Sequence, residues 1–216
     1  MIVFLKLLSG ICWTIVYIES IRIGFKQKTY AMPLFALALN ICWEGLYSYN
    51  GLTNNPTVQS WINLVWFLLD IMIVFTYFKY GKKEFSEHAD VKYFIPWSIL
   101  VFVMSFVLQY SFLVEFDSLG GTYSAFIQNL LMSVLFITML VRRRSSKGQS
   151  LTIAISKWIG TLAPTILFGA IMGNQLVLVL GVFCSVFDII YIFYLNSIRN
   201  LSFAAQSDKL EKTVNY

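Results

Sequence analysis

Residues 58–78 read VQSWINLVWFLLDIMIVFTYF, an apolar run with no Lys or Arg and a single carboxylate, Asp70, past its middle. At the 1.5 Å rise of an α-helix, about 20 such residues cross the hydrocarbon core of a bilayer. A strand reading fails because the apolar residues are continuous rather than alternating. Six further runs of this kind fill the chain, at 2–23, 31–49, 93–114, 122–141, 151–172 and 175–197. The sequence therefore predicts an all-α, polytopic membrane protein, a bundle of seven transmembrane helices.

Composition agrees. Of the 216 residues, 58% are hydrophobic and only 12% charged, and the mean hydropathy is +0.70. Soluble domains are nearer half apolar and a quarter charged, so lipid is the expected solvent here. The net charge of +5 does not point to nucleic acid, because the basic residues cluster between the apolar runs, where they set topology. Cys12, Cys42 and Cys184 all lie inside apolar runs, and the sole histidine, His88, lies in a charged loop. Neither a disulfide framework nor a zinc or haem site is expected, and no cofactor or metal is called for. The first run begins near Lys6 but is too long for a signal-peptide core and has no small-residue cleavage site after it, so it is expected to stay as a helix.

Loop charges orient the bundle. Lys26 and Lys28 follow the first run, Lys82, Lys83 and Lys92 the third, and Arg142, Arg143, Arg144 and Lys147 the fifth. Arg199, Lys209 and Lys212 follow the seventh, whereas 50–57, 115–121 and 173–174 hold no Lys or Arg. This alternation predicts an outward N-terminus and a cytoplasmic C-terminus. Residues 1–198 are expected to form the membrane domain and 199–216 a cytoplasmic polar tail, in a bacterial cell membrane or that of the endoplasmic reticulum. Pro164 is expected to kink the sixth helix.

Polar residues inside the runs fall on shared faces. Asn40, Trp43, Glu44 and Tyr47 are spaced i, i+3, i+4, i+7, and so line one side of the second helix. Asn63, Trp66 and Asp70 do the same on the third, and Cys184, Asp188 and Tyr191 on the seventh. Gln109, Gln128 and Asn129 add amides, which often join membrane helices together. Glu19 has Arg22 at i+3 as a partner. Lys157 is expected to snorkel to the headgroups. Glu44, Asp70 and Asp188 have no cation at i±3 or i±4. A carboxyl without a counter-charge in hydrocarbon is expected to keep its proton, which is what a general acid needs. Trp43, Tyr47, Trp66 and Tyr191 share faces with these acids, and electron-rich rings attract cations. A dry pocket of neutral acids and aromatic walls suits protonation of an apolar substrate and shelter of a carbocation.

Over essentially its full length the chain resembles the small integral-membrane terpene cyclases of fungal meroterpenoid and indole-diterpene pathways and their bacterial relatives. The resemblance rests on the seven spans, Trp43-Glu44 after Asn40, Trp66 to Asp70, the stretch Ser156-Lys157-Trp158-Ile159-Gly160-Thr161, and Asp188. It implies that Glu44 and Asp188 are the proton donors. Asp70 and Asn40 are expected to orient them, with Trp43, Tyr47, Asn63, Trp66, Asn129 and Tyr191 supporting the substrate. It further implies metal-independent cyclisation of a linear prenyl chain, plain or epoxidised and attached to a polar head, that enters from the bilayer. No DDxxD or DxDD motif is present. A seven-helix transporter would show tandem three-helix repeats, and none is visible. A retinal protein would need a Lys in the seventh span, and a lipid hydrolase a nucleophile beside a histidine; the chain offers neither.

Overall fold

The computed structural model describes residues 1–214, with side chains described except at 117, 118 and from 201 onward. Among the described residues all regular structure is helical. Seven helices follow in order: α1 (Ile2–Gln27), α2 (Leu34–Asn54), α3 (Val58–Ser86), α4 (Phe94–Glu115), α5 (Asp117–Arg143), α6 (Leu151–Pro164) and α7 (Gln175–Val214). A 3₁₀ turn, Val91–Tyr93, leads into α4, and α6 continues as a π-helical segment, Thr165–Ile171. α7 passes without a break through the expected polar tail as far as Val214. The tail's side chains beyond 200, and residues 215–216 altogether, lie outside the described residues.

The helices close into a ring in which α1 touches α3, α3 touches α2, and the contacts continue through α4, α5, α7 and α6 back to α1. α2 also reaches across to α5. Six helices are long and apolar enough to cross a membrane, and α2 falls short. The reason is its polar face, with Asn40, Glu44 and Ser48 all buried. α2 thus touches three neighbours, α3, α4 and α5, rather than lipid on all sides.

Local chemistry marks the helix ends. Thr57 caps α3 in a reciprocal pair with Ser60, and Ser150 caps α6 by accepting from the Ile153 N–H. Lys28 and Arg144 end α1 and α5 in the left-handed conformation, with φ 51° and 49°. At that basic end Glu84 accepts from Arg142 at 2.5 Å, from Arg143 at 2.7 Å and from Tyr30 at 2.9 Å. This joins α3, α5 and the α1–α2 connection.

Pro164 acts as its chemistry requires. Lacking an N–H, it cannot donate to the Gly160 carbonyl one turn back. Ser9 Oγ of α1 donates to that carbonyl instead, at 2.7 Å. The helix passes into the π segment, where the Met172 N–H reaches the Leu167 carbonyl at 3.0 Å. Gly160 permits the close approach of α1, because a Cβ there would sit 3.0 Å from Trp13 Cδ1.

Candidate active site

A cavity of about 470 Å³ lies between α1, α2, α3, α5 and the α6–π junction. Its inner part is aromatic, with Trp13, Tyr17, Trp43, Tyr47 and Trp66 in the wall. Tyr17 stacks on Trp66 with ring centroids 5.9 Å apart, and Trp43 meets Tyr47 at 5.0 Å. The indole N–H groups are engaged elsewhere: Trp43 donates to the Gly121 carbonyl at 2.9 Å and Trp66 to Thr14 Oγ1 at 3.0 Å. These bonds fix the ring planes of the wall.

Glu44 lines this chamber and is buried. Its Oε1 accepts from the Tyr17 hydroxyl and, at 3.3 Å, from Asn40 Nδ2. Its Oε2 has no partner among the described residues. The Asn40 amide also donates to Tyr17 Oη at 2.6 Å and to Asp70 Oδ2 at 2.8 Å. Its own oxygen accepts from Gln128 Nε2 at 3.3 Å, and Gln128 Oε1 accepts from Gln109 Nε2 at 2.7 Å. The chain of amides thus runs from α4 through α5 to α2 and ends on two carboxyls and a phenol from three helices. Neither Glu44 nor Asp70 makes an ion pair among the described residues.

Asn40, Trp43, Glu44, Tyr47, Asn63, Trp66 and Asn129, all singled out from sequence, lie in the cavity wall. Asp70 stands behind Asn40, bonded to it. Asn63 Oδ1 accepts from Gln59 at 2.8 Å, while Asn129 Oδ1 has no hydrogen-bond partner among the described residues.

Asp188 and Tyr191 are placed differently from expectation. Neither is in the cavity wall. Asp188 receives the Lys157 ammonium on both oxygens, at 2.7 and 2.9 Å, and the third ammonium bond goes to Ser133 Oγ at 2.7 Å. Lys157 is fully buried rather than snorkelled. Its stem has a carboxylate within reach on α7, which satisfies the charge in place. Tyr191 donates to Gln149 Oε1 at 2.8 Å and packs on Phe136. The Glu19–Arg22 pair forms as the spacing suggests, at 2.6 Å.

Tyr17 and Trp13 were not singled out from the sequence. Their signal was the stripe Ser9, Trp13, Tyr17 and Ser20 at steps of four and three, faint in a helix that is apolar on nearly every side.

The chain matches the Pyr4-like transmembrane terpene cyclases over residues 1–201. It is 31% identical to the Pyr4-family terpene cyclase mfmH of Annulohypoxylon moriforme, over 74% of this chain and 66% of that protein. It is 26% identical to the terpene cyclase pyr4 of Aspergillus fumigatus, over 94% of this chain and 89% of that one. It is 27% identical to asnovolin H synthase nvfL of Aspergillus novofumigatus, over 73% of this chain and 65% of that one. The matched part thus spans about two thirds of the length of the first and third relatives. No solved structure matches it significantly.

Proposed function

The chain belongs to the Pyr4-like transmembrane terpene cyclases, and from that premise we propose that it cyclises a linear prenyl chain by protonation, with Glu44 as the acid. The supporting observation is the asymmetry of the Glu44 carboxyl: Oε1 is held by Tyr17 and Asn40, and Oε2 is left without a partner in a residue that lines the chamber. The transferable proton sits on Oε2. It passes to a terminal alkene carbon, or to an epoxide oxygen whose C–O bond then breaks. Neighbouring double bonds attack the carbocation and close the rings. Loss of a C–H proton ends the cascade, so protons balance and the product is an isomer of the substrate.

Tyr17 and Asn40 stabilise the carboxylate that forms at Oε1, in the manner of preorganised donors at a developing anion. Asp70 orients Asn40 from behind. The aromatic rings face the developing cation. Asp188 takes a positioning role: its pair with Lys157 joins α6 to α7, with Ser133 of α5 attached, beside the α6–π wall of the chamber.

The polar Asn55, Thr57 and Gln59 in the lining, all exposed, give the cavity an outer end suited to the polar head of the substrate. We place that end outward, opposite the basic loops, with the membrane domain at 1–198 and the tail at 199–216 cytoplasmic. Glu44→Gln keeps size and hydrogen bonding but removes the acid. Product measured by mass spectrometry should fall about 100- to 10,000-fold with expression unchanged. Wild-type turnover by this variant would remove the assignment.

A further inference from the structure

A glycine inside a helix costs about 1 kcal/mol against alanine, so its presence asks for a packing or functional reason. Three glycines line the cavity, Gly10, Gly51 and Gly121. Two of them have a packing reason. A Cβ added at Gly51 would run into Ser60 Oγ, and one at Gly121 would sit 3.0 Å from the Tyr47 ring. At Gly10, within α1, an added Cβ would meet nothing within 4 Å, and the residue is not among those with positive φ. Neither packing nor backbone conformation calls for a glycine there.

The rest of α1 shows what a closed position looks like. At Gly24 an added Cβ would lie 3.0 Å from Thr76 of α3, and next to it Phe25 meets Phe75 with ring centroids 6.1 Å apart. Nearer the start of α1, Trp66 of α3 donates to Thr14 Oγ1 at 3.0 Å and stacks on Tyr17. There the seam ends. Among the described residues no hydrogen bond, ion pair or ring contact joins residues 2–13 to α3. Both helices still line the cavity at this end, α1 through Ser9 and the half-exposed Gly10, α3 through Gln59 and Asn63. Leu7 and Ile11 of α1 and Val58 and Val65 of α3 are exposed in the same turns, so hydrocarbon is what these turns meet in a bilayer. The cavity holds the Glu44 Oε2 that has no partner among the described residues.

We propose that the gap between α1 and α3 is a side door through which the prenyl chain passes between lipid and chamber, and that Gly10, by lacking a side chain, sets the width it admits. This rests on the cyclase reading above and adds to it a route and the residue that selects by size. A prenyl chain has no hydrogen-bonding group, so it moves from hydrocarbon to an aromatic wall without stripping water from a polar atom.

Rates of binding, rather than turnover, test this. The full chain in lipid nanodiscs is mixed with an anthraniloyl ester of farnesol, and saturable energy transfer from the cavity tryptophans is followed by stopped flow. Release is followed on adding excess farnesol. Gly10→Ala, Gly10→Leu and Gly10→Phe should slow association and release together, in order of size and by about tenfold at Phe, because the helices must then part before the chain passes. The Kd should stay within about twofold of wild type, and thermal stability should hold or rise, since each variant replaces a helical glycine. Wild-type rates in Gly10→Phe overturn the side door. So does a loss of affinity with association unchanged, which would make Gly10 a wall of the chamber, and so does a loss of thermal stability in Gly10→Ala, which would reveal a packed position. Glu44→Gln should take up and release the probe as wild type does, so a Glu44→Gln protein that still forms product sinks the acid assignment and leaves the door standing. No saturable transfer in wild type sinks chamber and door together.

Discussion

Asp188→Asn separates two roles that the resemblance merges. The substitution preserves shape and deletes charge. In the structure the three Lys157 ammonium bonds go to Asp188 Oδ1, Asp188 Oδ2 and Ser133 Oγ, at 2.7, 2.9 and 2.7 Å. Both charged groups are buried. After the substitution the ammonium keeps neutral acceptors and loses its counter-charge. Breaking a buried pair from one side costs about 3–5 kcal/mol, whereas replacing both partners by apolar residues of similar volume is close to neutral. For a chain of this size that loss corresponds to roughly 6–20 °C in Tm. Lys157→Met should destabilise by a similar route, and Lys157→Met/Asp188→Leu should recover most of the loss. The assay is the fraction of detergent-purified protein that stays monodisperse after heating, run beside product analysis on the same samples. If Asp188→Asn abolished product with no change in thermal stability, the positioning argument would be refuted. A stable double variant as inactive as Glu44→Gln would refute it equally.

Two other substitutions test the network and the kinked helix. Tyr17→Phe removes the donor to Glu44 while keeping the ring against Trp66. It should lower kcat about 10- to 100-fold, the worth of one hydrogen bond to a charged group, with KM little changed, and steady-state kinetics on an epoxidised prenyl substrate checks the split. Ser9→Ala strips the Gly160 carbonyl of its donor, at a cost of about 1–3 kcal/mol for a buried acceptor left unpaired. In a Pro164→Ala background the restored N–H takes that carbonyl, so the same substitution should cost less; equal costs in the two backgrounds would remove the link between Ser9 and Pro164.

Much of this was legible in the residue order, for reasons that are local. Seven apolar runs became seven helices because length and continuity leave a chain in lipid few alternatives. Asn40, Trp43, Glu44 and Tyr47 reached one cavity because helical periodicity fixes a face without knowledge of its neighbours. The partner of Asp188 was hidden for the complementary reason. Lys157 lies 31 residues away on another helix, and a search at i±3 and i±4 sees only one's own helix. Tyr17 was hidden because α1 offers lipid-facing residues on most sides, so one more aromatic did not stand out. The Glu84 cluster depends on Tyr30 and Arg143, 54 and 59 residues from Glu84, and carries no local signature.

The contrast between the acids in the bundle carries the mechanistic weight. Asp188 has the Lys157 ammonium on both oxygens and takes no place in the cavity wall. Glu44 has neutral donors on one oxygen and nothing on the other, beside a cavity. Burial penalises a charge in both places, and the two helices answer it differently: α7 supplies a counter-ion through α6, while α2 supplies only a phenol and an amide. A counter-ion at Glu44 would fix the ionised form and remove the proton that the proposed reaction needs. Neutral donors favour the carboxylate more weakly than a counter-ion would, and they are already in place when the proton leaves. The polarity of α2, which leaves it short of a membrane span where the other six helices qualify, is on this reading the cost of keeping an acid without a counter-ion beside the cavity.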